Sequence, residues 1–164
     1  MRRQTKVQVL AVLGLCISMY ALTVESHLDD DEYEAMCDIS AKVSCTAVFS
    51  SEYAHPLSKW GLVPKGHALD LGLAAAGMIL YGAYFLAACL WEVMPARKPL
   101  FLTVASGSAL FSCYLLYVLK FILGDFCIVC TCFHVVNFSM LALAIFEFRD
   151  RAPSKKRAGK AKAY

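Results

Sequence analysis

Four long stretches without charged residues run through the chain, and polar segments separate them. The stretches cover residues 7–24, 71–91, 100–119 and 126–146 and are 18 to 21 residues long. An α-helix needs about 20 predominantly apolar residues to cross the hydrocarbon core of a bilayer. The pattern therefore predicts an all-α membrane protein: a four-transmembrane-helix bundle with a loop at about 25–70 between the first two helices.

The first stretch has an alternative interpretation as a cleaved signal peptide. A basic start, here Arg2, Arg3 and Lys6, followed by an apolar run describes both kinds of segment. The run is long for a signal peptide, and no small-residue cleavage site stands clearly at its end. We therefore favour a membrane span.

Composition supports the membrane assignment. Hydrophobic residues make up 59% of the 164 residues and charged ones 18%, against about 45–50% and 25% in soluble domains. This argues against a water-soluble monomer. The length leaves room for a single membrane domain over 1–164, without a large catalytic domain.

Charge asymmetry predicts the orientation of the bundle, because loops rich in Lys and Arg stay in the cytoplasm. Segments 1–6, 92–99 and 147–164 hold 12 of the 16 basic residues, whereas 25–70 and 120–125 hold 10 of the 13 acidic ones. Four spans with both termini cytoplasmic satisfy this distribution. The loop at 25–70 then lies on the opposite, lumenal side.

The basic tail at 149–164 is interpreted as a cytoplasmic topology determinant or a contact to anionic membrane lipid, and not as a nucleic-acid-binding segment. Lys160 and Lys162 stand fifth and third from the end of the sequence. This spacing is similar to the lysine-based retrieval signals of endoplasmic reticulum membrane proteins.

Eight cysteines divide evenly between the predicted spans and the acidic side of the membrane. Cys37 and Cys45 lie in the acidic loop, and Cys127 and Cys130 form a C-x-x-C at the start of the fourth span. The other four are expected to be small buried hydrophobes at helix contacts: Cys16, Cys89, Cys113 and Cys132.

The position of the C-x-x-C favours redox chemistry. Asp125 is the predicted N-cap of the fourth helix, which puts Cys127 and Cys130 one turn apart on the same face. The positive end of the helix dipole favours a thiolate there, and the thiolate is the reactive form of cysteine. The pair also lies between water and lipid, so it can meet a soluble donor and a lipid-soluble acceptor.

Three other interpretations of the four clustered cysteines stay open on spacing alone. They are a zinc site, which more often pairs two short knuckles, a static disulfide network, and unpaired core cysteines. The last fits poorly with four cysteines at one membrane face. Thiol–disulfide exchange is the favoured interpretation, and we expect no bound metal.

Six sequence blocks stand out, at 18–22 (SMYAL), 33–39 (YEAMCDI), 44–51 (SCTAVFSS), 60–63 (WGLV), 125–130 (DFCIVC) and 159–162 (GKAK). Together they resemble the vitamin K epoxide reductase family, integral membrane oxidoreductases of the endoplasmic reticulum. The resemblance covers nearly the whole chain. It implies a multi-pass protein of the endoplasmic reticulum membrane that reduces vitamin K quinone or its epoxide as substrate, with no tightly bound cofactor.

The resemblance also implies a role for each clustered cysteine. Cys130, the deeper of its pair, attacks the quinone or its epoxide, and Cys127 resolves the adduct by closing a disulfide with it. Cys45 then attacks that disulfide, and Cys37 releases Cys45. A lumenal thioredoxin-like partner reduces the resulting disulfide in the loop.

Quinone contacts follow from the same resemblance. Val48 and Phe49 match apolar pocket residues of the family, with ordinary loop packing as the alternative. Leu73 stands nearest the place of the family's quinone-binding Asn, and His134 replaces a Tyr. A histidine can donate a hydrogen bond or a proton to a quinone oxygen, or make a buried polar contact between spans, whereas a leucine donates nothing. We therefore expect quinone reduction to be retained and epoxide reduction to be weaker or absent.

Two rival functions remain. One rival is a quinone-dependent enzyme that generates disulfides for secretory protein folding, using ubiquinone or menaquinone. The other is a non-enzymatic membrane adaptor whose cysteines only cross-link the loop.

Asn137 begins a glycosylation pattern, which is discounted because it lies inside the fourth predicted span.

Overall fold

The computed structural model describes residues 2–30, 32–40, 42–67, 69–94 and 96–149, and this part of the chain is mostly helical without a β-strand. The predictions for the basic tail beyond Arg149 lie outside the described residues. The helices are α1 (Arg3–Ser26), α2 (Cys45–Phe49), α3 (Pro56–Lys59), α4 (Leu73–Cys89), α5 (Arg97–Tyr117), continued by the π-helical turn Val118–Leu123, and α6 (Ile128–Arg149).

Three of the described helices are long and apolar enough to cross a membrane: α1, α5 with its π-helical extension, and α6. The helix α4 has 17 residues, fewer than the 21 of the predicted second span. At 1.5 Å per residue it is about 25 Å long, against a hydrocarbon core of about 30 Å. The fourth crossing therefore stays a prediction.

Small residues let α1 pack closely against α4. A Cβ added to Gly14 would lie 2.4 Å from the Tyr81 ring, and one added to Gly77 would lie 2.8 Å from Ser18 Oγ. Side chains cannot approach this closely, so a Cβ at either position would force the Tyr81 ring or the Ser18 side chain to shift. The buried face of α1 repeats every three or four residues: Val7, Ala11, Gly14, Ser18, Ala21 and Val24.

The four cysteines within the long apolar stretches do not pack as predicted. All of them are exposed on the outer surface of the helices, because other residues, such as Ser18 and Ala21 on α1, occupy the helix contacts. The prediction of buried cysteines was therefore wrong for Cys16, Cys89, Cys113 and Cys132.

An ion-pair cluster joins three helices at the end of the bundle away from the clustered cysteines. The Glu147 carboxylate on α6 accepts hydrogen bonds from Arg3 of α1 at 3.0 Å and from Arg97 of α5 at 3.4 Å. Glu147 is only 7% exposed. Pairing with two guanidinium groups compensates the loss of water around its charge.

The segment between α1 and α4 folds over the other end of the bundle. The Phe126 N–H, just before α6, donates to the Lys42 carbonyl at 2.8 Å. Trp60 packs edge-on against Phe111 of α5, with ring centroids 6.3 Å apart. These contacts place α2 beside the start of α6.

Candidate active site

A bonded pair of cysteines lies in the folded loop. Cys37 and Cys45 form a disulfide with their Cα atoms 5.8 Å apart, and both residues are buried. The Tyr20 hydroxyl on α1 donates to Cys37 Sγ at 3.7 Å. Since the two sulfur atoms are bonded to each other, they offer no thiolate ligands to a zinc ion in this state.

Cys127 extends this row of sulfur atoms. Its Sγ lies 3.6 Å from Cys45 Sγ, and both Cys127 and Cys130 are free thiols. Thiol–disulfide exchange requires a thiolate to reach a disulfide sulfur. The structure brings the four clustered cysteines together, with the loop pair oxidised and the C-x-x-C pair reduced.

The sequence predicted Asp125 as the N-cap of α6, but the N-cap is Cys127. The helix begins immediately after Cys127, and the Cys130 N–H donates to Cys127 Sγ at 3.2 Å. Phe126 pairs with Val43 of the loop in an isolated β-bridge and therefore lies outside the helix. The N–H bond and the positive end of the helix both favour negative charge on the Cys127 sulfur.

Cys45 is held in place as the first residue of α2. The N-cap Ser44 accepts from the Ala47 N–H at 3.0 Å, and Asp38 accepts from the N–H groups of Cys45 and Thr46 and from the Thr46 hydroxyl. Partial burial opposes ionisation of Asp38. Hydrogen bonds from Thr46, Ser44 and Cys45 outweigh it and lower the pKa of the carboxyl group.

Replacing Asp38 with asparagine should weaken the loop in a pH-dependent way. Because the folded-state pKa is lowered, the charge stabilises the fold above the unfolded-state value of about 3.9, and this contribution is lost as the pH falls further. We expect a loss of about 1 kcal/mol at pH 6, since partial exposure weakens charge-assisted hydrogen bonds. The midpoint of thermal unfolding, measured at pH values from 6 to 3, tests this expected loss of stability.

A control for this prediction is Glu34→Gln, which removes a charge from an exposed position in the same loop. The difference in Tm between Asp38→Asn and the unmodified protein should shrink as the pH is lowered. A constant difference over the whole pH range would mean that the carboxylate charge does not hold α2.

Cys130 borders a cavity between α4, α5 and α6. The cavity has a volume of about 110 Å³, and two of the predicted quinone contacts, Phe49 and His134, line it. Val48 lines instead a neighbouring cavity of about 20 Å³, which Cys130 also borders. Most of the remaining wall is apolar: Leu73, Ala76, Gly77, Leu80, Phe111, Leu115 and Phe133.

Three polar residues of the cavity wall were missed in the sequence. The Tyr81 hydroxyl donates to Asn137 Oδ1 at 2.9 Å, and Asn137 Nδ2 donates to Ser112 Oγ at 2.8 Å. These residues belong to three different helices. Only Asn137 had a sequence signal, since it stands seven residues after Cys130 and therefore on the same helix face.

His134 differs from these residues because its ring nitrogens are unsatisfied. It is 4% exposed, and neither Nδ1 nor Nε2 has a hydrogen-bond partner in the described part of the chain. A buried polar group without a partner is costly. The ring therefore offers a hydrogen bond to a ligand in the cavity.

A larger cavity of about 330 Å³ lies further along α4 and α5, toward Arg97, and shares Leu80 with the first. Its wall is almost entirely apolar and includes Tyr84 and Trp91. The clustered cysteines lie at the smaller cavity. The neighbouring thiols, and not the cavity volume, therefore identify the smaller cavity as the candidate site.

Comparison with known proteins agrees with this arrangement. The chain matches the sequence model of the Vitamin K epoxide reductase family over residues 6–145. It is 33% identical over 149 residues to Vitamin K epoxide reductase complex subunit 1 of Mus musculus and 31% identical over 149 residues to that of Rattus norvegicus. Each alignment covers 89% of this chain and 91% of the relative. The chain belongs to the vitamin K epoxide reductase family.

Proposed function

We propose that this protein is a membrane thiol–disulfide oxidoreductase that reduces vitamin K quinone, and its epoxide at a lower rate. Electrons come from a thioredoxin-like protein in the lumen of the endoplasmic reticulum. They pass through Cys37 and Cys45 to Cys127 and Cys130, and then to the quinone. The protein crosses the membrane four times, with both termini in the cytoplasm.

One observation carries this proposal: the loop disulfide and the C-x-x-C form a continuous sulfur path that ends at a cavity. Cys45 is bonded to Cys37 and lies 3.6 Å from Cys127. Cys130 borders the cavity that also contains His134. A static cross-link does not require a reduced thiol beside the disulfide, whereas a relay does.

The reaction balances as a two-electron exchange. Cys127 and Cys130 give two electrons and two protons to the quinone, which yields a hydroquinone and a Cys127–Cys130 disulfide. The reduced loop pair then passes two electrons to this disulfide and becomes the Cys37–Cys45 disulfide. With an epoxide as substrate, the same two electrons and two protons yield the quinone and water.

The surroundings of Cys37 support docking of a protein donor. Met36 is 90% exposed and Ile39 is 70% exposed, so apolar side chains flank this cysteine on the outer surface. Attack by a partner thiolate on Cys37 Sγ releases Cys45 as a thiolate beside Cys127. A second thiol of the partner then frees Cys37 by forming the partner's own disulfide.

The direct test is turnover by purified protein in lipid nanodiscs with a dithiol reductant. Vitamin K quinone, ubiquinone and menaquinone are each supplied as acceptor. Preferential reduction of vitamin K quinone supports the proposal. Preference for ubiquinone or menaquinone supports the disulfide-generating rival, and an absence of turnover with all three supports the adaptor.

Epoxide turnover should be at least about tenfold slower than quinone turnover, because epoxide opening requires a proton for the leaving oxygen and general acid catalysis is worth about 10²–10⁴ in rate. Leu73 donates nothing, and the Tyr81 proton is committed to Asn137. Parallel rate measurements on vitamin K quinone and its epoxide test this difference. Equal rates would show that the cavity supplies an efficient acid.

A further inference from the structure

Three polar or reactive residues lie on the face of α6 that lines the cavity. Cys130, His134 and Asn137 are spaced by four and three residues, which puts them on the same face of the helix. All three line the cavity and are at least nine-tenths buried. The face combines the thiol of the proposed reaction with two groups able to hydrogen-bond a ligand.

The amide of Asn137 is held in one orientation by residues from two other helices. Tyr81 of α4 donates to its oxygen at 2.9 Å, and its nitrogen donates to Ser112 of α5 at 2.8 Å. An amide nitrogen carries two N–H groups. One N–H therefore remains for a second acceptor after the bond to Ser112.

We propose that Asn137 donates this N–H to one oxygen of a para-quinone ring while His134 donates to the other. This inference rests on the proposed function and names a binding residue for its substrate. Residues three apart on a helix have Cβ atoms about 5–6 Å apart, a spacing comparable to that of the two oxygens across the ring. Asn137 thus supplies the amide contact that Leu73 cannot make.

Tyr81 and Ser112 act as positioning residues in this arrangement. An amide free to rotate would lose part of its hydrogen-bond energy to the ordering of its side chain. The bonds from α4 and α5 fix the amide before the ligand enters. The same three residues also join the helices, and the test must separate binding from this structural role.

The test uses infrared spectroscopy of a ¹³C-carbonyl-labelled 1,4-naphthoquinone bound to the Cys130→Ser variant, which binds without turnover. A hydrogen bond lowers the stretching frequency of a carbonyl group, so both carbonyl bands should shift on binding. Adding Asn137→Leu should return one band toward its position in apolar solvent. With Cys130 intact, Asn137→Leu should raise the KM for the quinone about five- to tenfold, as expected for one hydrogen bond.

Two further variants separate binding from folding. Asn137→Met is an unbranched, helix-compatible replacement without a donor group, so it should also lose the band shift, even if Asn137→Leu does not fold. Tyr81→Phe should give a smaller rise in KM. The matched control Tyr84→Phe, one turn further along α4 and at the other cavity, should change neither KM nor the bands.

Two shifted carbonyl bands and an unchanged KM in both Asn137 variants would overturn this inference, while leaving the proposed function in place. Absence of quinone binding to Cys130→Ser, together with absence of turnover by the unmodified protein, would overturn the proposed function itself. The two failures are thus distinguishable.

Discussion

Replacing Cys130 with serine should abolish quinone reduction. Cys130 is the thiol that borders the cavity, and a serine hydroxyl neither attacks the quinone at neutral pH nor forms a disulfide with Cys127. Loss of a covalent nucleophile lowers kcat by at least about a thousandfold. Hydroquinone formation, followed by fluorescence with a dithiol as reductant, measures the effect.

Cys113→Ser is the matched control for this variant. Cys113 lies on α5, exposed on the surface of the bundle, and its replacement should leave turnover unchanged. Retention of quinone reduction in Cys130→Ser would exclude Cys130 as the reacting thiol. The quinone would then have to receive its electrons from another group of the protein.

The three long spans were predictable because hydropathy sums over about 20 residues and needs no knowledge of neighbouring segments. The start of α4 was not predictable in this way. The Asp70 carboxylate accepts from the Ser58 N–H at 3.3 Å, which ties the residues before α4 into the loop. Leu71 and Gly72 then precede the helix, although their apolar character had suggested that they belong to it.

Helix faces were the hardest feature to predict. A helix that is apolar all round gives no periodic signal of which side is buried, so Cys16 on the outer surface and Ser18 in the interior could not be told apart. The polar contacts of the cavity pose the same problem. Tyr81, Ser112 and Asn137 meet only because three helices bring their inner faces together.

The cluster of four cysteines was easier to predict, because thiol–disulfide chemistry limits how these cysteines can be arranged. Two of them form a motif at a helix start, and the other two share a loop that family resemblance links to that motif. The structure confirms the Cys37–Cys45 disulfide. The contact of this disulfide with Cys127 depends on pairing between the loop and Phe126, which no local sequence pattern predicts.

Replacing Cys37 with serine should trap the relay between its two pairs. The variant leaves Cys45 free with its sulfur atom beside Cys127. When the C-x-x-C is oxidised, Cys45 attacks Cys127 and forms a mixed disulfide that no neighbouring loop thiol can release. Turnover driven by a thioredoxin-like protein should fall to background.

Peptide mapping by mass spectrometry, after alkylation without reduction, should detect the Cys45–Cys127 cross-link in Cys37→Ser. The double variant Cys37→Ser/Cys45→Ser cannot form it, and Cys132→Ser, on the surface of α6, should retain normal pairing and turnover. A cross-link from Cys45 to Cys130 would place the attack on the wrong sulfur of the pair. Full turnover with the protein reductant would show that electrons bypass the loop, because in the proposed path only Cys37 carries the exchange forward, by attacking Cys45 and freeing Cys127.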